Sequence, residues 1–498
     1  MILKLTALFL TISALYGPQI VQAWIDPLDA CHHACSAIAN VVSNASTVYY
    51  PWDTSGHHAA DIAHYSPPAS QNSTCSVEPG SAEDVARILN ILSEKRPPFA
   101  IKGGGHSQNF GFSSTTGVHI AMSRFSEIVY DEKGETVTIG AGLIWDELYA
   151  ALDPLGRGVV GGRVSSIGVG GVILGGGYSW KTNQYGLAVD NVLAFELVKP
   201  DGEIVLVTDE SDPDLFFVLK GGHNNYGIVT RFTLKTHPQD GVWGGHMIIS
   251  EDNLVEFSDA LADFAQNATD PKAAAIGSFF FDQGLASLIR LPLPMLASLF
   301  VAYDAPAPPG GVFDRFLGIP SIESNFSTEG GMLSLLQSAG SSVSNHGGAR
   351  GLYSTTPVAE YSPGFIAFAR DEVKRLSTSL PPNELVNLGC SLEPFLPDYL
   401  SHAAEGSSAY PPSRKTALLP TALGISWKST SADAQAHDLI RELGYSVSDY
   451  ASNVDSQDLS EAYVYPNYAL ADEPLEAMEV RERVDPTRLM ALAGGFKV

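Results

Sequence analysis

Apolar residues recur at Val85, Ile88, Leu89 and Leu92, a spacing that predicts one buried face of a helix. Ser81-Ala82-Glu83-Asp84 supplies capping-box chemistry at its start, and Pro97-Pro98 ends it. Phe99-Ala100-Ile101 reads as a short buried strand that runs straight into Lys102-Gly103-Gly104-Gly105-His106-Ser107. Thr136-Val137-Thr138-Ile139 predicts another strand, followed by Gly140-Ala141-Gly142 and a helix carrying Leu148 and Leu152. Residues 194–198 and 204–207 flank Pro200-Asp201-Gly202 and predict a hairpin. Ile228 to Leu234 alternates apolar and polar, as a half-buried strand does.

From about 240 to 440 the pattern changes. Residues 247–249, 299–301 and 423–427 read as strands separated by helical stretches, and 306–311 is a Pro/Gly loop. Blocks of strands and helices of this kind predict an α+β fold. No internal repeat is visible. At the N-terminus, Lys4, an apolar run from Leu5 to Tyr16, Pro18 and then Val21-Gln22-Ala23 form the pattern of a secretory signal peptide over residues 1–23. Secretion to the cell exterior is the expected localisation.

The chain has 498 residues, 45% hydrophobic and 17% charged, enough for two or three cores. Its formal net charge of −26 excludes nucleic acid and anionic membrane as partners, since a polyphosphate would be repelled. Behind a leader, the sequons at Asn44, Asn72, Asn267 and Asn325 are expected to carry glycans. Secretion also permits disulfides among Cys31, Cys35, Cys75 and Cys390. Cys31-His32-His33-Ala34-Cys35 lacks a second ligand pair at zinc spacing, so no metal is expected. One of Cys31 and Cys35 is expected to bridge to Cys75, with Cys35 the preferred partner.

Three successive glycines at 103–105 expose backbone N–H groups, as a loop that cradles phosphate requires, and place an imidazole beside the bound anion. A second cluster runs through Gly161-Gly162, Gly168-Val169-Gly170-Gly171 and Gly175-Gly176-Gly177-Tyr178. Its spacing does not follow the G-x-G-x-x-G pattern of a Rossmann dinucleotide site.

Taken in order, Lys102 to Ser107, the second glycine cluster, Tyr185 to Asn191, and Lys220-Gly221-Gly222 through Asn225-Tyr226-Gly227-Ile228-Val229-Thr230 resemble the FAD-binding domain of the vanillyl-alcohol oxidase and p-cresol methylhydroxylase (PCMH) superfamily. The tail motif Tyr465-x-Asn467-Tyr468 and the later Asp485-Pro486 resemble its berberine-bridge-like branch. The resemblance implies a two-lobed α+β protein, with a PCMH-type FAD-binding domain and a substrate domain whose antiparallel sheet is covered by helices. It divides the chain into an arm at 24–65, the FAD-binding domain at 66–238, a substrate domain at 239–440 and a segment at 441–498 that returns to the FAD domain.

The same resemblance implies cofactor contacts at Lys102, Gly103, Gly104, Gly105, His106, Ser107, Gly168, Gly170, Gly171, Gly177, Tyr178, Asp190, Ile228 and Asn467. His106 matches the histidine joined to the flavin, and a neutral imidazole is a competent nucleophile for that bond. Many relatives add a cysteinyl bond, but Val164 stands at that position, so FAD is expected to be tethered through His106 alone. The implied activity is an oxidase: hydride passes from an alcohol, sugar or amine substrate to FAD, and O2 is reduced to H2O2. Tyr465 and Asn467 are the candidate catalytic residues, with Glu360 and Tyr361 as further candidates and His223 read as packing. The alternatives are an oxidoreductase or cyclase of secondary-metabolite synthesis, and a flavin-binding glycoprotein without turnover. The stretch between Tyr468 and Asp485 is shorter than the resemblance implies.

Overall fold

The computed structural model describes residues 27–283, 295–327, 330–340, 349–381, 383–473 and 480–497. The expected leader at 1–23 lies outside them, as does part of the short tail stretch.

The N-terminal lobe contains two sheets. The first is formed by β1 (Thr47–Tyr49), β2 (Cys75–Glu78), β3 (Phe99–Lys102) and β4 (Val118–Ala121), in the order β1-β2-β4-β3. Helix Ala82–Lys95 packs beside it, with Val85, Ile88, Leu89 and Leu92 buried as their spacing predicts. Ser81 accepts from the Asp84 amide at 3.2 Å, but the Asp84 carboxylate does not complete a reciprocal box. It binds Ser43 and Ser46 of the N-terminal arm instead, at 2.5 and 2.6 Å. Cys35, on helix Pro27–Val41, is bonded to Cys75 on β2 and fastens the same arm.

The second sheet is formed by β5 (Ile128–Asp131), β6 (Thr136–Gly140), β8 (Val192–Val198), β9 (Ile204–Val207) and β10 (Ile228–Lys235), in the order β5-β6-β10-β8-β9. The predicted hairpin is the β8–β9 pair. The two-residue strands β7 (Arg157–Gly158) and β11 (His237–Pro238) pair separately.

The second lobe is built on one seven-stranded antiparallel sheet. Its strands are β12 (Trp243–Ile249), β13 (Ala273–Asp282), β14 (Leu296–Tyr303), β15 (Glu323–Ser327), β16 (Arg350–Val358), β17 (Leu385–Leu392) and β18 (Leu419–Trp427), in the order β15-β12-β14-β13-β17-β18-β16. Side chains alternate between its faces. On β17, Leu388, Cys390 and Leu392 are buried, and they join a core with Phe257, Phe365 and Leu443 from three covering helices, Leu254–Asn267, Pro363–Leu376 and Asp433–Asp449. Gly389 and Ser391 point the other way and are half-buried. The α+β, two-lobed architecture expected from the resemblance is the one observed.

The lobes are locked together by buried polar ties. Lys181 reaches Asp304 at 2.5 Å, and both side chains are almost fully enclosed. Asn183 donates to the Ala273 carbonyl at 3.0 Å and accepts from the Leu396 amide at 2.9 Å. The tail then returns to the first lobe. Ala493 bridges to Phe99 in parallel, and Gly494 donates to the Phe99 carbonyl at 3.0 Å. Asp485 is buried and accepts from the amides of Leu489 and Met490 at 2.8 Å, so it caps the last turn.

Candidate active site

The residues that follow β3 cannot continue the strand, because the second glycine cluster presses against them. A Cβ on Gly104 would lie 2.4 Å from the Gly168 nitrogen, and one on Gly168 would lie 2.4 Å from the Gly104 nitrogen. Backbone meets backbone at this point, and only glycine permits it. The sequence separates these residues widely; the fold makes them one surface. Gly171 has nothing within 4 Å of where a side chain would project, and Gly103 and Gly170 meet one carbonyl each, that of Ala141. The amides from Gly104 to Ser107 have no acceptor among the described residues. Free backbone donors lining an open glycine cradle suit an anionic, diphosphate-bearing ligand, so the residues present fit FAD.

His106 leaves this loop and stacks on Tyr65, with ring centroids 4.2 Å apart. Burial holds its imidazole well below the ordinary histidine value, at about 4. It is therefore neutral at physiological pH, with a nitrogen lone pair available. The Lys102 side chain lies against Gly105, where a Cβ would meet its Cε at 2.5 Å, and its ammonium, whose pKa burial lowers, is 3.4 Å from the Ala60 carbonyl.

The opposite wall is the free face of the seven-stranded sheet. Gly351, Tyr353, Thr355 and Pro357 of β16 lie opposite Ser426, Gly424, Ala422 and Pro420 of β18. Gln108, two residues beyond His106 in sequence, approaches Gly351, where a Cβ would meet its Oε1 at 2.8 Å. This face therefore looks onto the glycine loop. Its central residues are small: Gly389, Ser391, Ala422 and Gly424.

The tail closes one end. Asn467 donates to the Tyr465 hydroxyl at 2.9 Å and to the Val172 carbonyl at 3.3 Å, and its side chain occupies the space a Gly175 side chain would need. Asn109 of the glycine loop donates to the Ala469 carbonyl at 2.9 Å. Tyr465 is buried among Tyr178, Tyr410 and Tyr468, with centroids 4.7, 5.3 and 4.8 Å away. Burial pushes its phenol above the ordinary tyrosine value, against smaller opposing pulls from Asn467 and Arg163.

Sequence reasoning missed the charged centre of this region. Arg163, beside Val164, donates to Glu393 at 2.8 Å and to the Tyr468 hydroxyl at 2.7 Å. The Tyr468 hydroxyl in turn donates to the other Glu393 oxygen at 3.1 Å. Glu393 lies just past β17, and both ion-pair side chains are buried, at 7% and 4% exposure. No local motif marks Glu393, because its partners come from the first lobe and from the tail.

The other expected residues fall in different places. Asp190 is buried against Arg414 at 2.6 Å and also accepts from the Leu187 amide, so it ties loops together. Tyr178 belongs to the tyrosine cluster. Gly177 packs against Ala188, and Ile228 is buried at the start of β10. Ser107 is half-buried within the loop. Tyr361 is buried, donates to the Pro420 carbonyl at 2.8 Å and accepts from the Glu393 amide. Glu360 uses its backbone to hold Gln457. His223 packs near Phe496 at 5.7 Å, and burial lowers its imidazole to about 4. Asn44, Asn72, Asn267 and Asn325 lie at or near the surface. No cluster of His, Cys, Asp or Glu among the described residues could hold a metal ion.

Comparison with known proteins agrees with this geometry. Residues 73–208 match the FAD binding domain family. An uncharacterised FAD-linked oxidoreductase of Arthroderma benhamiae is 43% identical over 50% of this chain and 48% of its own length. The chain spans about half the length of the first curated relatives it matches. An FAD-dependent monooxygenase of Emericella nidulans is 28% identical over 93% of the chain and 98% of its own length. The solved structure of the berberine-bridge-like protein 1 of Physcomitrella patens has the same fold, with a TM-score of 0.71 and 18% identity, covering 92% of this chain and 97% of that one. Residues 73–208 are thus an FAD-binding domain. Beyond that domain, the chain as a whole shares the fold of the solved berberine-bridge-like protein.

Proposed function

We propose that this chain is a secreted FAD-dependent oxidase that takes a hydride from a small-molecule substrate held between the glycine loops and the small-residue face of the sheet, with O2 as the final acceptor and H2O2 as product. The observation that carries the reading is the neutral His106 imidazole in a loop of free backbone amides, opposite an open sheet face. When bound, FAD supplies the hydride acceptor and hands the electrons to O2.

The chain's own residues do the rest. The amides of Gly104 to Ser107 bind the diphosphate. His106 is the covalent anchor, since its lone pair is free and Val164 carries no thiol to form a second bond. Among the described residues the two free thiols, Cys31 and Cys390, are buried, and burial pushes Cys390 up to about 12. Asn467 fixes the Tyr465 ring. The substrate proton passes to the Tyr468 hydroxyl, whose own proton can move to Glu393 across 3.1 Å, with Arg163 holding both groups in place. Burial raises both phenols, and Tyr468 is preferred over Tyr465 because its hydroxyl alone of the two is bonded to a carboxylate that can take the proton on. Secretion is supported by the apolar leader, the Cys35–Cys75 bond and four sequons at or near the surface.

Acid precipitation tests the anchor. A yellow pellet is expected from the native protein and a colourless one from His106→Ala; yellow in the native supernatant refutes it. Peroxide release is then measured against flavin reduction. A one-to-one ratio supports the oxidase. The relative matched over nine-tenths of the chain is named a monooxygenase, which favours a second reading: oxygen enters the product and peroxide falls short of substrate consumed.

A further inference from the structure

Imidazole rings in proteins are ordinarily oriented by a hydrogen bond to one ring nitrogen. His106 receives none from another described residue; the one hydrogen bond its imidazole feels is to its own backbone. Packing orients the ring instead. The aromatic face against it is that of Tyr65, with centroids 4.2 Å apart and planes 22° from parallel. Tyr65 is the last residue of the segment expected to be an N-terminal arm. Its amide also donates to the Gly105 carbonyl at 3.0 Å, so backbone and ring grip two successive residues of the loop. Gly105 has φ +70°, and a Cβ there would lie 3.3 Å from the Ala63 carbonyl oxygen, so arm and loop meet backbone to backbone.

The brace is itself held in place. The His64 Nδ1–H donates to the Ile62 carbonyl at 2.8 Å, its Nε2 accepts from the Ser113 hydroxyl at 2.9 Å, and its amide donates to the Ser70 hydroxyl at 3.1 Å. Burial keeps that imidazole below the ordinary histidine value, hence neutral, as one donor and one acceptor nitrogen require. Tyr353 of β16 approaches from the other lobe; burial and, to a smaller extent, the Tyr65 phenol raise its phenol. We propose that Tyr65 is the positioning residue of His106: its ring fixes the imidazole plane, and so holds the free nitrogen at the angle at which it bonds the cofactor.

This role rests on His106 being the covalent anchor and deepens that reading. In the bond-forming step His106 gives up its N–H proton and bonds a methyl carbon of the flavin, which loses one hydrogen. The two protons and the electron pair pass to the flavin ring and then to O2, which leaves as H2O2. An imidazole free to swing about its side-chain bonds reaches the bonding angle in only a fraction of its conformers, whereas a ring stacked on Tyr65 is already near it. Burial raises the Tyr65 phenol, so the side chain is uncharged and acts through its aromatic face. Phenylalanine can therefore serve in its place.

The test follows attachment in time. The full chain is produced under riboflavin limitation and FAD is added. Bound flavin is read from fluorescence quenching, and attached flavin from what survives acid precipitation. Tyr65→Leu keeps the bulk and loses the aromatic face. It should form acid-stable flavin roughly three- to tenfold more slowly than the native chain, the worth of one aromatic pair, with initial FAD affinity within about twofold. Tyr65→Phe should restore the native rate. A slowing matched by an equal loss of FAD affinity, or by a lowered melting temperature, overturns the role and leaves Tyr65 a packing residue. Tyr65→Phe as slow as Tyr65→Leu also overturns it, because the effect then belongs to the hydroxyl. Native protein that releases all its flavin in acid overturns the anchor and this role together. Acid-stable flavin formed at the native rate in Tyr65→Leu overturns this role and leaves the anchor standing.

Discussion

Removing one member of the Arg163–Glu393 pair should damage the protein far more than removing both. The two side chains are 7% and 4% exposed and lie 2.8 Å apart, with Tyr468 as a shared partner. Arg163→Met leaves a carboxylate enclosed with one remaining neutral donor. An uncompensated buried charge of this kind costs about 3–5 kcal/mol, a large share of a stability of about 5–15 kcal/mol. Glu393→Gln leaves the guanidinium in the same position and should cost a similar amount. In the double variant neither charge is buried alone, and the amide introduced in place of Glu393 can still accept from Tyr468. The expected cost there is about 1 kcal/mol, so the two substitutions are coupled by about 5 kcal/mol or more. Urea unfolding of the flavin-loaded proteins, followed by tryptophan fluorescence, measures all three at constant m-value. Additive losses in the double variant would refute the reasoning, because they would mean that each charge is stabilised independently of the other. Flavin reduction is followed in parallel. Tyr468→Phe should slow it while leaving substrate affinity within about twofold, since the hydroxyl is placed in proton transfer and the ring remains.

Three further outcomes are expected. Gly104→Ala puts a methyl group into the Gly168 backbone and should yield protein that purifies with little flavin; retention of full flavin at native melting temperature would remove the close contact from the account. Cys35→Ser opens a link between residues 40 apart and should cost about 4 kcal/mol by loop entropy, read as a lowered unfolding midpoint that reductant reproduces in the native protein. His119 is fully buried with both ring nitrogens unpartnered, and burial lowers its value to about 3. The unfolded state therefore gains a proton near pH 6.5 that the folded state refuses, so stability falls as pH drops through that window. The contribution is roughly 2 kcal/mol between about pH 7 and pH 5, and His119→Leu should flatten that slope. Asp61, raised to about 6 by burial, acts in the opposite direction in both proteins and cancels in the comparison.

Local pattern carried much of this protein. Helical spacing found Val85 to Leu92, alternation found the strand at 228–234, and turn residues found the hairpin, because each depends on neighbours a few residues away. The glycine runs likewise announced a phosphate cradle, since no other residue lets backbone approach so closely. What the sequence could not express was adjacency. Gly104 against Gly168, and Arg163 between Glu393 and Tyr468, are contacts between residues far apart in the chain, 230 and 305 positions in the case of Arg163. Such contacts exist only after two lobes and a returning tail have packed. The charge of Glu393 is invisible as chemistry until burial removes water from it. Sequence determined which backbone could hold FAD; tertiary packing decided which side chains face the substrate, because desolvation and distance, not residue type, set what those groups can do.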